Sequence, residues 1–170
     1  ELGWSKSLIY DTPRTLDLQL DTAFYGGLEQ VPGYQNVDSP YDKLWWTQAR
    51  LYYSNVRSSL GYVDNEKGHT WEVVAANNYV NSQAIPLIRG AFDIGFALPI
   101  KHSSIWLRTD AGYAHGDADE PFAFFYFGGF GNNYVDDREV KRYREYYSMP
   151  GFEIDEIGGR EFGKVTLEWN

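Results

Sequence analysis

Cysteine is absent from this 170-residue chain, which excludes disulfides, thiolate metal sites and cysteine nucleophiles together. Basic residues are scarce beside acidic ones, 15 Lys and Arg against 24 Asp and Glu, for a net charge of −9. With a sequence pI near 4.7 the chain lacks the basic face that nucleic acid requires, so no nucleic-acid partner is expected. Long apolar runs are missing too. Nothing approaches the roughly 18 residues of a membrane helix, and mean hydropathy is −0.49. An α-helical membrane protein is thereby excluded. A β-barrel is not, because its strands need only about 9 to 11 residues and alternate polar with apolar.

Recognisable catalytic sequences are lacking as well. There is no G-x-S-x-G elbow, no H-E-x-x-H pair and no phosphate-binding glycine loop. Carboxylates are plentiful, yet catalysis by a pair needs a pocket that raises one pKa, and no spacing here singles out such a pair. His69 and His102 sit at or beside turns, and His115 opens the run HGDADE. That run lacks the twelve-residue spacing and closing Glu of an EF-hand loop and reads as an acidic surface loop. No catalytic residue, metal or cofactor is expected.

What the chain has in quantity is aromatic residues, 18% of the total with 14 Tyr and 6 Trp, and period-2 alternation. Thr15 to Tyr25 places Leu16, Leu18, Leu20, Thr22 and Phe24 on one face and Asp17, Gln19, Asp21, Ala23 and Tyr25 on the other, the pattern of a strand with one apolar side. A Gly-, Pro- and Asn-rich loop follows from Gly26 to Asp42. Leu44 to Val63 is long, and its apolar phase slips after Tyr53, so a bulge is expected near Ser54 and Asn55. A tight turn at Asp64 to Gly68 leads to a return strand, His69 to Tyr79. The clearest alternation is Ile88 to Leu98, which a short turn at Pro99 to His102 joins to Ile105 to Tyr113. A last alternating strand runs through Gly158 to Trp169.

These segments make about six antiparallel strands in one domain, 1–170, with short turns at one end and long loops mostly at the other. Period alone fits both a soluble β-sandwich binding module and a membrane barrel, because an apolar face looks alike against core and lipid. Two features favour the barrel. The polar face carries opposite charges on neighbouring strands, Arg89 and Asp93 beside Arg108 and Asp110, which suits a wet lumen. Trp45, Trp46, Tyr52, Tyr53, Tyr62, Trp71, Tyr79 and Trp169 lie toward strand ends, where aromatic girdles sit. The fold class expected is therefore all-β, an antiparallel transmembrane barrel segment. Six strands cannot close a bacterial barrel, whose minimum is about eight. The opening ELGWSKSLIYDTP has no basic segment followed by an apolar core, and Asn170 comes with a strand under way, so an excerpt of a longer protein is expected.

Pro121 to Trp169 organises the rest. It begins PFAFFYFGGF, passes through the charged VDDREVKRYREYY with an Asp137–Lys141 pair at helical spacing, and returns through SMPGFEIDEIGGREFGKVTLEW. Aromatic residues and paired glycines, Gly128–Gly129 and Gly158–Gly159, flank the excursion. A loop this long in a compact domain is usually functional or disordered; the aromatic and glycine pairs favour an ordered loop, 116–160, folded back on its scaffold.

The order of these motifs resembles one part of the outer-membrane surface-antigen superfamily, the BamA/TamA-type barrels. SIWLRTDAGYAHGDADEPFAFFYFGGF, the triplet Pro150–Gly151–Phe152 and GGREFGKVTLEW match that family's sixth extracellular loop and its flanking strands. There an Arg-Gly-aromatic tip tucks into the lumen; here Pro150 stands at the Arg position, leaving Arg142 or Arg144 as substitute donors for the anchoring ion pair. The resemblance implies a barrel of about sixteen strands in the bacterial outer membrane. It also implies contact with outer-membrane lipid, and a role in inserting or translocating unfolded outer-membrane or secreted proteins alongside accessory periplasmic proteins. The alternative is a barrel that only anchors, or forms a pore for, an adjoining periplasmic domain.

Overall fold

A computed structural model describes residues 1–28, 41–61, 64–129 and 144–170. Most of the Gly26 to Asp42 loop, Tyr62, Phe130, Gly131, Arg142 and the Asp137–Lys141 pair lie outside the described residues. The fold is all-β. Seven strands form one antiparallel up-and-down sheet: β1 (Leu2–Asp11), β2 (Arg14–Gly26), β3 (Lys43–Arg57), β4 (Lys67–Val80), β5 (Gln83–Ala97), β6 (Ser104–Ala114) and β9 (Glu161–Trp169). The sheet is open, with β1 and β9 as its edges. Two short strands, β7 (Phe125–Phe127) and β8 (Ile157–Gly159), pair within the long excursion.

Two expectations are corrected. The main sheet has seven strands, not about six, because Leu2–Asp11 forms β1, where Leu2 and Trp4 alternate with Gly3, Ser5 and Ser7. Its period is broken by a register shift between Ser7 and Ile9, and Lys6 interrupts the apolar side. The bulge expected near Ser54 and Asn55 is absent: the register runs unbroken from Arg14↔Asn55 to Gly26↔Lys43. The slipped phase has another cause. Val56 faces the polar side, where it lines the space beside Asp64 and Asn65, and the strand stops at Arg57, leaving Leu60 fully exposed in a turn.

Residues directly opposite one another in an antiparallel ladder share a face, so the register fixes two unlike surfaces. Leu20, Ala49, Ala75 and Ile88 lie in one row, and Leu51, Val73 and Gly90 in the next, all on the apolar face. Much of it is bare: Ile88 is 51% exposed, and Phe24, Trp45, Val73, Phe92 and Leu107 are exposed as well. Aromatic rings gather at both ends of this face. Trp45 meets Tyr79 edge-on at 6.5 Å, and its indole donates to Thr22 Oγ1 at 2.8 Å. At the other end Tyr53 stacks on Trp71 and on His69, each at 5.6 Å. On β3 and on β4 the two clusters are eight residues apart, about 26 Å along the strand.

The opposite face is polar, and it is the one that is covered. Phe125 and Phe127 of β7 pack with Ala114 in a small core, joined by Leu87, Tyr146, Ile157 and Phe162. Phe162 lies 4.9 Å, ring to ring, from each of the two β7 phenylalanines. Its cross-strand partner is Gly112, where a Cβ would come within 2.4 Å of the Phe162 ring. Glycine here is what lets an aromatic ring fold flat over the neighbouring strand.

Candidate functional site

The site is the polar face of β3–β6 and β9 with the returning limb of the loop docked on it. The four charges singled out in the sequence come together. Arg108, directly opposite Asp93, donates to it at 2.5 Å, and Arg89 reaches diagonally to Asp110 at 3.4 Å. Both arginines have further partners that alternation alone did not single out. Glu72, the one charged residue that is buried among the described residues, accepts from Arg50 and Arg89, and Glu168 accepts from Arg108 at 2.7 Å. The signal was present in the register: Arg50 and Arg89 both lie opposite Val74, two residues from Glu72.

The loop supplies one more cation to this wall. Arg144 donates to Asp64, in the turn between β3 and β4, at 2.7 Å, and to Glu168 on β9. Burial works against its charge, but hydrogen bonds to Asp64 and Glu168 outweigh it, and its pKa is raised. The wall reciprocates. Lys164 Nζ donates to the carbonyls of Glu145 (2.7 Å), Tyr146 (3.2 Å) and Ser148 (2.8 Å), gathering a whole turn of the loop. The Arg89 guanidinium sits 4.5 Å from the centre of the Tyr146 ring, a cation–π contact. Burial pushes the Tyr146 phenol pKa up.

The paired glycines hold the two limbs of the loop together. Gly158 and Gly159 pair with Tyr126 and Phe125. The Gly128 amide donates to Tyr147 O at 3.1 Å, its carbonyl accepts from Met149 N, and the Gly129 amide donates to Glu153 O at 3.1 Å. A Cβ at Gly128 would stand 1.9 Å from Glu153 O, so the backbones meet too closely for any side chain. Pro150, Gly151 and Phe152 follow, with the Phe152 carbonyl 3.1 Å from where a Gly129 Cβ would be. All three are exposed, Phe152 by 44%, and nothing lies within 4 Å of where a Gly151 Cβ would be. Among the described residues, Arg144 to Ser148 and the two β7 phenylalanines are seated on the polar face.

A second clasp joins the loops at the same end. Tyr41 donates to Glu120 Oε1 at 3.0 Å and packs edge-on against Phe122 at 5.0 Å. Glu120 also accepts from Phe122 N at 3.3 Å, which caps the 3-10 turn Pro121–Ala123. Burial, and then the Glu120 hydrogen bond, push the Tyr41 phenol up to about 12. Among the described residues no group of three or more His, Cys, Asp or Glu converges as metal ligands would.

These features define an open, antiparallel all-β meander with one bare apolar face and one ion-paired face bearing a docked loop. No family model, no curated protein and no solved structure matches the chain.

Proposed function

We propose that this chain is a stretch of the wall of an outer-membrane β-barrel, belonging to a factor that inserts or translocates other proteins at that membrane, with 116–160 as its inward-folded extracellular loop. One observation carries the wall: the face that is covered is the polar one. In a soluble sandwich the second sheet buries the apolar face of the first. Here β7 and β8 lie over the side bearing Arg89, Asp110 and Lys164, while Ile88, Phe92 and Leu107 stand bare. Bare apolar area on this scale calls for lipid or a partner. The eight-residue separation of the aromatic clusters supports lipid, since about 26 Å along a strand becomes about 20 Å across the membrane at a tilt of roughly 40°, close to the aromatic-girdled band of outer-membrane barrels.

The assembly role rests on the motif order and on Arg144. With Pro150 at the tip, the resemblance leaves the anchoring ion pair without a tip donor; Arg144, held by Glu168 and Asp64, supplies such a pair from the returning limb instead. The work done is physical, a wall and a docked loop that gate or reshape a path, with no covalent step. Single cysteines test the wall in the otherwise cysteine-free chain. At Leu18, Phe92, Ile94 and Leu107 they resist water-soluble maleimide and react with lipid-phase probes, whereas at Asp93 and Arg108 they label from water. Equal labelling from water at all six positions overturns the proposal.

A further inference from the structure

We propose that a cavity on the polar face, at the long-loop end, binds a neutral saccharide. The cavity is about 410 Å³, within the usual range of small-molecule sites. Trp46 and Gln48 of β3 and Asn78 of β4 form its floor, and Phe124, Tyr126 and Tyr147 line it from the loop side. Its polar groups divide into those already paired and those left open. Arg89, which also lines it, is neutralised by Glu72 and Asp110 and has its face against Tyr146, so it offers little to an anion. Among the described residues the Gln48 amide, the Trp46 indole N–H and the Asp155 carboxylate make no hydrogen bond or ion pair, and Asn78 makes one long contact, to Phe122 O at 3.5 Å.

These groups sort the ligand classes. A wholly apolar ligand would strip water from the amides and the carboxylate without replacing its hydrogen bonds. An extended peptide adds to a sheet through a free edge, and β3, β4 and β5 are interior strands with both ladders filled. A pyranose fits both halves of the lining: its C–H face lies against a ring, and its hydroxyls both donate to Asp155 and exchange hydrogen bonds with the amides. The proposal stands on the cavity and does not require that the sheet close into a barrel.

The test uses the protein in zwitterionic micelles that carry no sugar headgroup. It is titrated with glucose, galactose, N-acetylglucosamine and maltose by calorimetry and saturation-transfer NMR. At least one sugar binds saturably, with Kd in the millimolar range. Gln48→Ala and Asp155→Asn each weaken it by about fivefold or more, the loss of one hydrogen bond, while Gln19→Ala, on the same face outside the cavity, leaves it unchanged. Asp155 is exposed on the loop, so its variant reports even if Gln48→Ala disturbs the sheet. No saturation up to roughly 100 mM, well above that range, overturns the proposal. So does an equal effect of Gln19→Ala, or saturable binding of an uncharged peptide with none of a sugar.

Discussion

Removing the Arg144 guanidinium should loosen the returning limb of the loop by an amount the structure bounds. The Arg144 side chain is 18% exposed and that of Glu168 10%. Breaking a fully buried pair costs about 3–5 kcal/mol, chiefly through the charge left without a partner. Here neither carboxylate is orphaned. Glu168 keeps Arg108 at 2.7 Å, and Asp64, partly exposed in its turn, rehydrates. The remaining loss is that of charged hydrogen bonds, roughly 1.5–3 kcal/mol, equivalent to an increase of about 10- to 150-fold in the open population. Ser148 offers a reporter. Its hydroxyl is buried without a hydrogen-bond partner among the described residues, so Ser148→Cys is nearly neutral, and the resulting thiol is unique in the chain. Arg144→Ala in that background should raise its maleimide labelling rate by the factor given. Arg144→Lys should recover part of the protection, since one ammonium cannot serve both carboxylates with the planar fork of a guanidinium. An Arg144→Ala rate equal to that of the parent, with Lys164→Met also silent, would refute the docking argument.

Gly112→Leu should force the Phe162 ring off β6 and cost about 1–3 kcal/mol as overpacking, read as a lowered urea midpoint. Ile88→Arg in the middle of the apolar face should cost about 2–4 kcal/mol in bilayers, and Tyr79→Arg at its rim about 0–1 kcal/mol; equal costs would contradict a lipid-facing belt. The Tyr41 clasp gives a pH dependence. Because the folded-state pKa is raised, its contribution is complete below the ordinary phenol value of about 10 and is lost as pH rises through about 12, visible as tyrosinate absorbance that Tyr41→Phe removes. Glu66 works in the opposite sense. Hydrogen bonds from the Ser59 side chain and amide lower its pKa, so protection of the Ser59 amide from exchange is present above the normal Glu range and disappears as pH falls through the lowered value.

Most of the sheet was legible because strand faces depend only on parity. Ile88 to Leu98 and Thr15 to Tyr25 read correctly since every second side chain meets the same environment. Parity also put Arg89, Asp93, Arg108 and Asp110 on one face before any pairing was known. What escaped was whatever breaks parity or depends on register. β1 hid behind Lys6 and its bulge, and the tail of β3 looked like a slipped strand because Val56 turns toward the Asp64 loop. Glu72 and Glu168 needed the strand pairings before they could be matched to their arginines. The loop was readable only as a loop. Where an irregular chain touches its scaffold depends on a few contacts with no period, so the run of charges offered Arg142 and Arg144 alike as donors and nothing in it chose between them. The Pro-Gly-Phe tip drew attention through its resemblance to a motif, while the described ion pairs of the returning limb come from Arg144, six residues before it.

The division of labour between charge and packing explains why the loop docks in one place. Wall charges are paired first with each other: Glu72 lies between Arg50 and Arg89, and Arg108 lies between Asp93 and Glu168. A wall neutralised in this way attracts little at a distance, and wrong registers of the loop gain nothing from it. Affinity instead comes from the apolar contact of Tyr146 with Phe125, Phe127 and Phe162, which tolerates small slips. Register comes from two directional requirements that hold together only in one position. Lys164 must find three carbonyls of a single turn, and Arg144 must reach Glu168 and Asp64 at once. Moving the loop by one residue keeps some of the aromatic contact but turns the Lys164 acceptors away and takes Arg144 from Asp64. A loop held in this manner is specified sharply yet bound by only a few kcal/mol of polar contacts.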